Sequence, residues 1–246
     1  MQNVESWVPT KFRKTADGWA PSLDTKELAV SSRLVSGRAL AAYLASIKAH
    51  ARGHLADLGC GNAPLYGYYK DFVDQVTCVD WPGTLHKTNH IDIFGDLNSV
   101  LQIDDGSFDT ILSTSVLEHI WRHDVFWGEM TRLLKPGGRL LLGTPFLYHL
   151  HEEPYDFFRW TSHGLRRACE ENDLTVIDLW PYGGGLDVVA DVTIKLVARR
   201  SQRIAAGLNA IAEAMLRKGP LRRLSDSAAP KIPTGFMLVA EKGSKP

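Results

Sequence analysis

The residues that could do chemistry begin with an acid set just ahead of two glycines. Asp57, Gly59 and Gly61 stand in Leu55-Ala56-Asp57-Leu58-Gly59-Cys60-Gly61-Asn62-Ala63-Pro64. An apolar run ends in the acid and enters a turn. Glycine carries no Cβ, so its backbone can turn sharply and come close to a ligand. A second acid, Asp80, ends the apolar run Gln75–Asp80 and is followed by Trp81. An acid at the tip of the next strand, about 20 residues past such a turn, is placed to accept hydrogen bonds from a ribose diol. The spacing also says which ligand does not fit. A dinucleotide's phosphates require a third glycine three residues after the second, and Pro64 stands there. Asp57 would repel them as well. The turn suits a ligand that is cationic close to it, and the ammonium and sulfonium of S-adenosylmethionine meet that requirement.

A second group of reactive side chains gathers behind two later apolar runs. Behind the first lie Ser113, Glu118 and His119. Behind the second runs Thr144-Pro145-Phe146-Leu147-Tyr148-His149-Leu150-His151-Glu152-Glu153-Pro154-Tyr155-Asp156-Phe157-Phe158-Arg159-Trp160. In a parallel sheet both groups lie beyond strand C-termini, where substrates bind. Histidine is the side chain suited to proton transfer near neutrality, and aromatic rings stack on sugars or planar acceptors. His151, then His149, then His119 are the candidate bases. Glu118, Tyr148, Tyr155 and Arg159 are candidate acceptor contacts. Arg159 could equally pair with Asp156 or Glu153 and fix the loop. Thr161 is placed to cap the helix that follows.

Taken together, these motifs resemble the class I S-adenosylmethionine-dependent methyltransferases. Asp57, Gly59 and Gly61 match the acid-x-Gly-x-Gly of their first motif, with Ala63 where the third glycine stands. The resemblance places Asp80 and Trp81 at the ribose, Asp96 and Leu97 at the adenine, and Ser113 at the end of the fourth strand. Arg132-Leu133-Leu134-Lys135-Pro136-Gly137-Gly138 matches the helix and turn before the fifth strand. It implies S-adenosylmethionine as cofactor, S-adenosylhomocysteine as product, and no metal. The loop from His151 to Thr161 further resembles bacterial members associated with glycan biosynthesis. That favours O-methylation of a hydroxyl on a glycan, a lipid-linked saccharide or a small metabolite. N-methylation of an amine and an inactive cofactor-binding interaction subunit are the alternatives. Ser113-Thr114-Ser115-Val116 stands where amino-methylating enzymes often carry Asn/Asp-Pro-Pro-Tyr/Phe, which speaks against adenine or glutamine as acceptor.

The elements that must position these groups are those of an α/β chain. Strands are expected near 53–58, 75–80, 89–93, 108–113, 138–144, 174–179 and 235–240, and helices near 64–72, 124–135 and 161–172. Alternating strands and helices predict a mostly parallel, seven-stranded Rossmann-like sheet with helices on both faces. The resemblance makes the last strand antiparallel. The whole chain, 1–246, reads as one domain, with a helical cap at 1–50, the core at 53–180, a helical insert at 183–232 and the last strand at 234–241. In the insert, Val189, Val192, Leu196, Ile204, Leu208, Ile211 and Met215 fall near one helical stripe, amid many lysines and arginines. A basic amphipathic stretch over 186–223 suits an anionic membrane surface. Packing on the sheet edge or on a second copy in a homodimer is the alternative. Net charge is zero, which argues against a nucleic-acid partner. No apolar run reaches the roughly 20 residues of a membrane span. The three cysteines make no paired metal spacing, and a reduced cytoplasmic protein is expected.

Overall fold

The computed structural model describes residues 1–84, 86 and 88–243. The chain opens with a small hairpin, β1 (Phe12–Thr15) and β2 (Gly18–Pro21), before the long helix α1 (Arg33–His50). The core then alternates β3 (His54–Leu58), a single helical turn α2 (Tyr66–Tyr69), β4 (Gln75–Asp80), β5 (Ile93–Phe94) and β6 (Phe108–Thr114). It continues with α3 (His123–Leu133), β7 (Leu134–Pro145), α4 (Ser162–Glu171) and β8 (Leu174–Tyr182). Three further helices follow, α5 (Gly185–Ala198), α6 (Gln202–Met215) and α7 (Pro220–Ala228), and the last strand is β9 (Gly235–Lys242).

The seven core strands form one sheet in the order β5-β4-β3-β6-β7-β9-β8. Strands β3 to β7 pair in parallel, and β9 alone runs antiparallel, wedged between β7 and β8. This is the Rossmann-like architecture expected from the alternating pattern. The reversal of chain direction on either side of β3 opens a crevice at the strand C-termini, the usual place for a ligand in such sheets.

Alternation of side chains explains why both faces are covered. Leu140 and Leu142 face α3 and α4, with Leu58, Ile111, Phe126 and Met130. Leu141 points the other way, against Leu40, Tyr43 and Ile47 of α1 and Leu55 and Leu112 of the sheet. In β9, Leu238 and Ala240 join the first face while Met237 and Val239 join the second. A strand buried on both faces reads as a continuous apolar run. Helix α1 therefore lies flat on the sheet as core.

The third strand is shorter than the sequence suggests and is displaced to Ile93–Phe94. Asp92, just before it, accepts a hydrogen bond from the Cys78 N–H at 2.7 Å. The basic insert is three helices, and its apolar residues part company. Leu208 packs with Ile194, Ala205, Leu216 and Leu34 in a separate cluster. Val189, Val192, Leu196, Ile204, Ile211 and Met215 face outward instead. Among the described residues no helix is long and apolar enough to cross a membrane.

Candidate active site

The crevice holds a cavity of about 530 Å³ that reaches from the glycine turn to the end of β6 and the loops that follow β6 and β7. At its glycine end, Gly59 and Gly61 adopt φ of 73° and 52°. This left-handed backbone suits glycine and strains other residues. A Cβ on Gly59 would stand 2.4 Å from Val116, and one on Gly61 would stand 2.8 Å from the His86 ring. Ala63 takes φ 46°, so the residue in place of the family's third glycine carries left-handed strain itself.

The two acids at the turn are held differently. Asp80 anchors the turn, its Oδ2 accepting from the Gly61 N–H at 2.8 Å and its Oδ1 from the Trp81 N–H at 2.8 Å. The Thr84 hydroxyl also donates to Oδ2, at 3.3 Å, which leaves Oδ1 with a lone pair for a ligand hydroxyl. Asp57 is buried and accepts only from the Tyr69 hydroxyl, at 2.9 Å. Burial pushes its carboxyl up to about 7, against the help of Tyr69 and with the Asp80 charge adding to the rise. A cation bound beside it would reverse that shift. The site suits S-adenosylmethionine in this respect, since its cationic part would favour the charged form of a carboxyl that burial disfavours. Asp96 and Leu97 line the same cavity, and Asp96 is fixed by Asn98 N–H groups at 2.9 Å.

The acceptor end is built by docking two loops. The Glu118 carbonyl accepts from the Phe157 and Phe158 N–H groups at 2.9 and 3.2 Å. The ring of His119 meets the Tyr155 carbonyl through Nδ1 at 2.9 Å. His119, Glu152, Tyr155 and Phe157 line the cavity beside Ser115 and Val116. Ser115 and Glu152 hold φ of 57° and 51°. Left-handed strain in non-glycine residues gathers at functional sites more than elsewhere. Glu118 is fully buried, and neither carboxylate oxygen has a hydrogen-bond partner among the described residues. His151 sits behind His119, with ring centroids 4.9 Å apart. Burial disfavours its charged form, but Glu118 and Asp156 outweigh that and raise its pKa.

Residues 56–142 match the family model described as "Methyltransferase domain". Over that segment, which holds the glycine turn and both acids, the chain is similar to methyltransferase domains. No protein of curated function is significantly similar in sequence. Among solved structures, a putative methyltransferase from Bacillus halodurans is 15% identical with a TM-score of 0.54, over 86% of this chain and 99% of that one. A putative methyltransferase from Haloferax volcanii, solved in complex with the activator Trm112, is 18% identical with a TM-score of 0.54, over 87% and 97%. A geranyl diphosphate methyltransferase solved with S-adenosylmethionine is 15% identical with a TM-score of 0.54, over 89% and 93%. At these identities the likeness is one of fold.

Several expected residues meet around the cavity: Asp57, Gly59, Gly61, Asp80, Trp81, Asp96, Leu97, His119 and Tyr155. Others lie elsewhere. Ser113 is 1% exposed and points into the sheet, while Thr114 and Ser115 take the wall. Arg159 clasps Asp156 with two hydrogen bonds of 2.5 and 2.7 Å and donates to the His149 carbonyl, so it fixes the loop. Tyr148 lies under the Lys195 ammonium, 3.7 Å from its ring centre, and near Ser32. The His149 and His151 rings lie 6.1 Å apart, both against Tyr148. Thr161 caps α4, accepting from Gly164. Thr10, Lys11, Asn62, His86 and Glu152 also line the cavity and were not expected there. The N-terminal segment carrying Thr10 and Lys11 has no clear period.

Proposed function

We propose that this methyltransferase acts on a hydroxyl of a glycan, a lipid-linked saccharide or a small metabolite. S-adenosylmethionine, when bound, supplies an electrophilic methyl group on a sulfonium. The chain's residues do the rest. Asp57 faces the ammonium, Asp80 the ribose, and Asp96 with Leu97 the adenine; Gly59 and Gly61 let the backbone approach. Buried side chains around the acceptor end hold water out, and positioning is a large part of the acceleration.

The observation that carries a hydroxyl acceptor is the group Glu118, His119 and His151 at the cavity's far end. His119 Nδ1 faces a carbonyl, so it carries the proton and leaves Nε2 bare. A neutral amine needs no proton acceptor to attack, whereas a hydroxyl gains from one. The test is a set of hydroxyl-bearing and amino-bearing saccharides incubated with S-adenosylmethionine, with products located by mass spectrometry and NMR. O-methylated products are expected. Methylation confined to nitrogen would overturn the reading, and calorimetry without S-adenosylmethionine binding would favour an interaction subunit.

One surface bears on where the acceptor is met. Val189, Val192 and Leu196 of α5 and Ile204, Ile211 and Met215 of α6 are each more than half exposed. Arg199, Arg200, Arg203, Arg217 and Lys218 are exposed around them. Lys195 and Arg222, by contrast, are tied up by Asp191 and by Asp187 with Asp226. Apolar residues ringed by free cations complement an anionic bilayer surface. Flotation with anionic vesicles but not neutral ones is expected, and its loss in Val192→Asp/Ile204→Asp. Dimerisation seen by sedimentation that the same double change abolishes, without vesicle binding, would give the face to a second copy.

A further inference from the structure

Three side chains at the acceptor end turn unprotonated atoms toward one another. Glu118 Oε1 lies 3.7 Å from His151 Nε2 and 3.9 Å from His119 Nε2. One atom from each of the three lies within 4.8 Å of the others. The ring protons are directed away from this point. His119 Nδ1 faces the Tyr155 carbonyl at 2.9 Å. His151 Nδ1 faces the Asp156 carboxylate at 3.1 Å and the His149 carbonyl at 3.3 Å. Carbonyls and carboxylates only accept, so both Nδ1 atoms carry hydrogen and both Nε2 atoms present lone pairs. Glu118 adds two buried oxygens without hydrogen-bond partners among the described residues.

Such a convergence of acceptors is costly unless something positive lies between them. A single proton on His151 would serve that ring and one carboxylate oxygen. It would leave His119 Nε2 and the second Glu118 oxygen unpaired. Lys11 lines the same cavity but forms no ion pair with Glu118 or Glu152 among the described residues. A divalent ion satisfies all three groups together. Ligand atoms 2.0–2.2 Å from a tetrahedral ion stand about 3.4 Å apart, so the two Glu118–histidine separations need to close by only a few tenths of an ångström. The surroundings match as well. A ligating histidine commonly donates its other N–H to a carboxylate or a backbone carbonyl, which orients the ring. His151 has the first arrangement, with Asp156 itself clamped by Arg159, and His119 has the second.

We infer that Glu118, His119 and His151 form a binding site for a divalent transition-metal ion, with Glu152, whose Oε2 lies 3.8 Å from His119 Nε2, as a fourth ligand. Two imidazoles with carboxylate suit zinc, cobalt or manganese better than magnesium or calcium. The sequence gave no reason to expect a metal, because its three cysteines are scattered and the ligands come from two separate loops. His119 and Glu152 line the cavity, so the ion meets the space where an acceptor would lie. An acceptor oxygen bound there would have a more acidic hydroxyl. This role rests on the hydroxyl-acceptor reading; the site itself does not.

The experiment uses the full chain stripped with chelator and titrated with Co²⁺, followed by visible absorption and calorimetry, with S-adenosylmethionine binding measured on the same samples. One Co²⁺ per chain is expected, with the intense visible bands of a low-coordinate site, displaced by Zn²⁺. His151→Ala and Glu118→Gln abolish those bands. Asp156→Asn, whose side chain meets the Nδ1 and the backbone N–H of His151 and Arg159 but not the ion, weakens binding roughly 10–100-fold. His149→Ala leaves it unchanged. Wild-type protein that binds S-adenosylmethionine but no cobalt overturns the site, as does binding that survives Glu118→Gln and His151→Ala. Should Glu118→Gln not fold, His119→Ala replaces it and is required to lose the bands. Cobalt binding together with purely N-methylated products keeps the site and overturns the hydroxyl reading. O-methylation by metal-free protein keeps the hydroxyl reading and overturns the ion's part in the reaction, while the cobalt titration alone decides the site.

Discussion

The two ends of the cavity are built by different means. The glycine end is made by one short stretch of backbone and two strand tips. Its key bonds, such as Gly61 N–H to Asp80, join the turn after β3 to the tip of the neighbouring parallel strand β4. The acceptor end is made by side chains from loops that meet only in the folded protein: His119 with Tyr155, Ser32 with Tyr148, Lys195 over Tyr148. A ligand common to many enzymes can be served by a fixed backbone device, while an acceptor that differs between enzymes is served by exchangeable loops. Changes at the first end should therefore abolish cofactor binding, and changes at the second should alter turnover while sparing it.

The largest effect is expected from Gly61→Val. At φ 52° a β-branched residue is strongly disfavoured, and its Cβ meets the His86 ring. The ring can swing aside and the two core faces are untouched, so the variant folds. Its affinity for S-adenosylmethionine falls roughly 100-fold or more. Calorimetry beside a thermal melt checks this. Normal binding in a folded variant would remove the turn from the ligand site and collapse the contrast between the two ends.

A smaller effect comes from pH. Asp57 has its carboxyl raised from an ordinary 3.8 to about 7 by burial. A cationic ligand requires the charged form. Affinity should climb with pH up to about 7 and then level off, with a slope of up to tenfold per pH unit on the acid side. The ligand-free protein shows the opposite trend. The folded state holds the proton more tightly than the unfolded one, so this group lowers stability as pH rises from about 4 to 7, and its contribution is flat above that. Asp57→Asn should abolish both slopes while weakening binding. A binding slope that persists in Asp57→Asn would assign the titration to another group.

The same division governs what the sequence discloses. Leu140-Leu141-Leu142 and Met237-Leu238-Val239 announce strands buried on both faces, and the turn from Asp57 to Gly61 announces itself by spacing. Period and local spacing survive in a linear chain. The burial of Glu118 without a partner does not, since it depends on which loop lands on residues 117–119. Nor does the outward turn of Val192 and Ile204, because a stripe of apolar residues reads alike whether it covers a core or awaits a partner. His119 was the third of three candidate bases by sequence, yet it alone of the three lines the cavity. Its ring is set by a carbonyl 36 residues away.

The smallest effect, and the sharpest test of the acceptor end, is expected at His149. This residue shares the loop, the aromatic neighbours and the residue type of His151. Position in the sequence does not separate the two. Their surroundings do. His149 is exposed, away from the cavity, and stacks on Tyr148. Burial of its ring against that neighbour and the positive charge of Lys195 press its pKa down to about 4. It is neutral at physiological pH, far from Glu118's oxygens, and without a share in the convergence that His151 completes. An exposed substitution of this kind changes free energies by about 0.5 kcal/mol at most, which is about twofold in a rate. His149→Ala should keep turnover within about twofold of wild type and leave S-adenosylmethionine affinity unchanged. His151→Ala should lower turnover by about 10²–10⁴-fold at unchanged affinity. Steady-state kinetics on both variants, with calorimetry to watch the cofactor, reads the difference directly. If His149→Ala falls as far as His151→Ala, the acceptor lies on the outer side of the loop, and the cavity's far wall is packing between two loops.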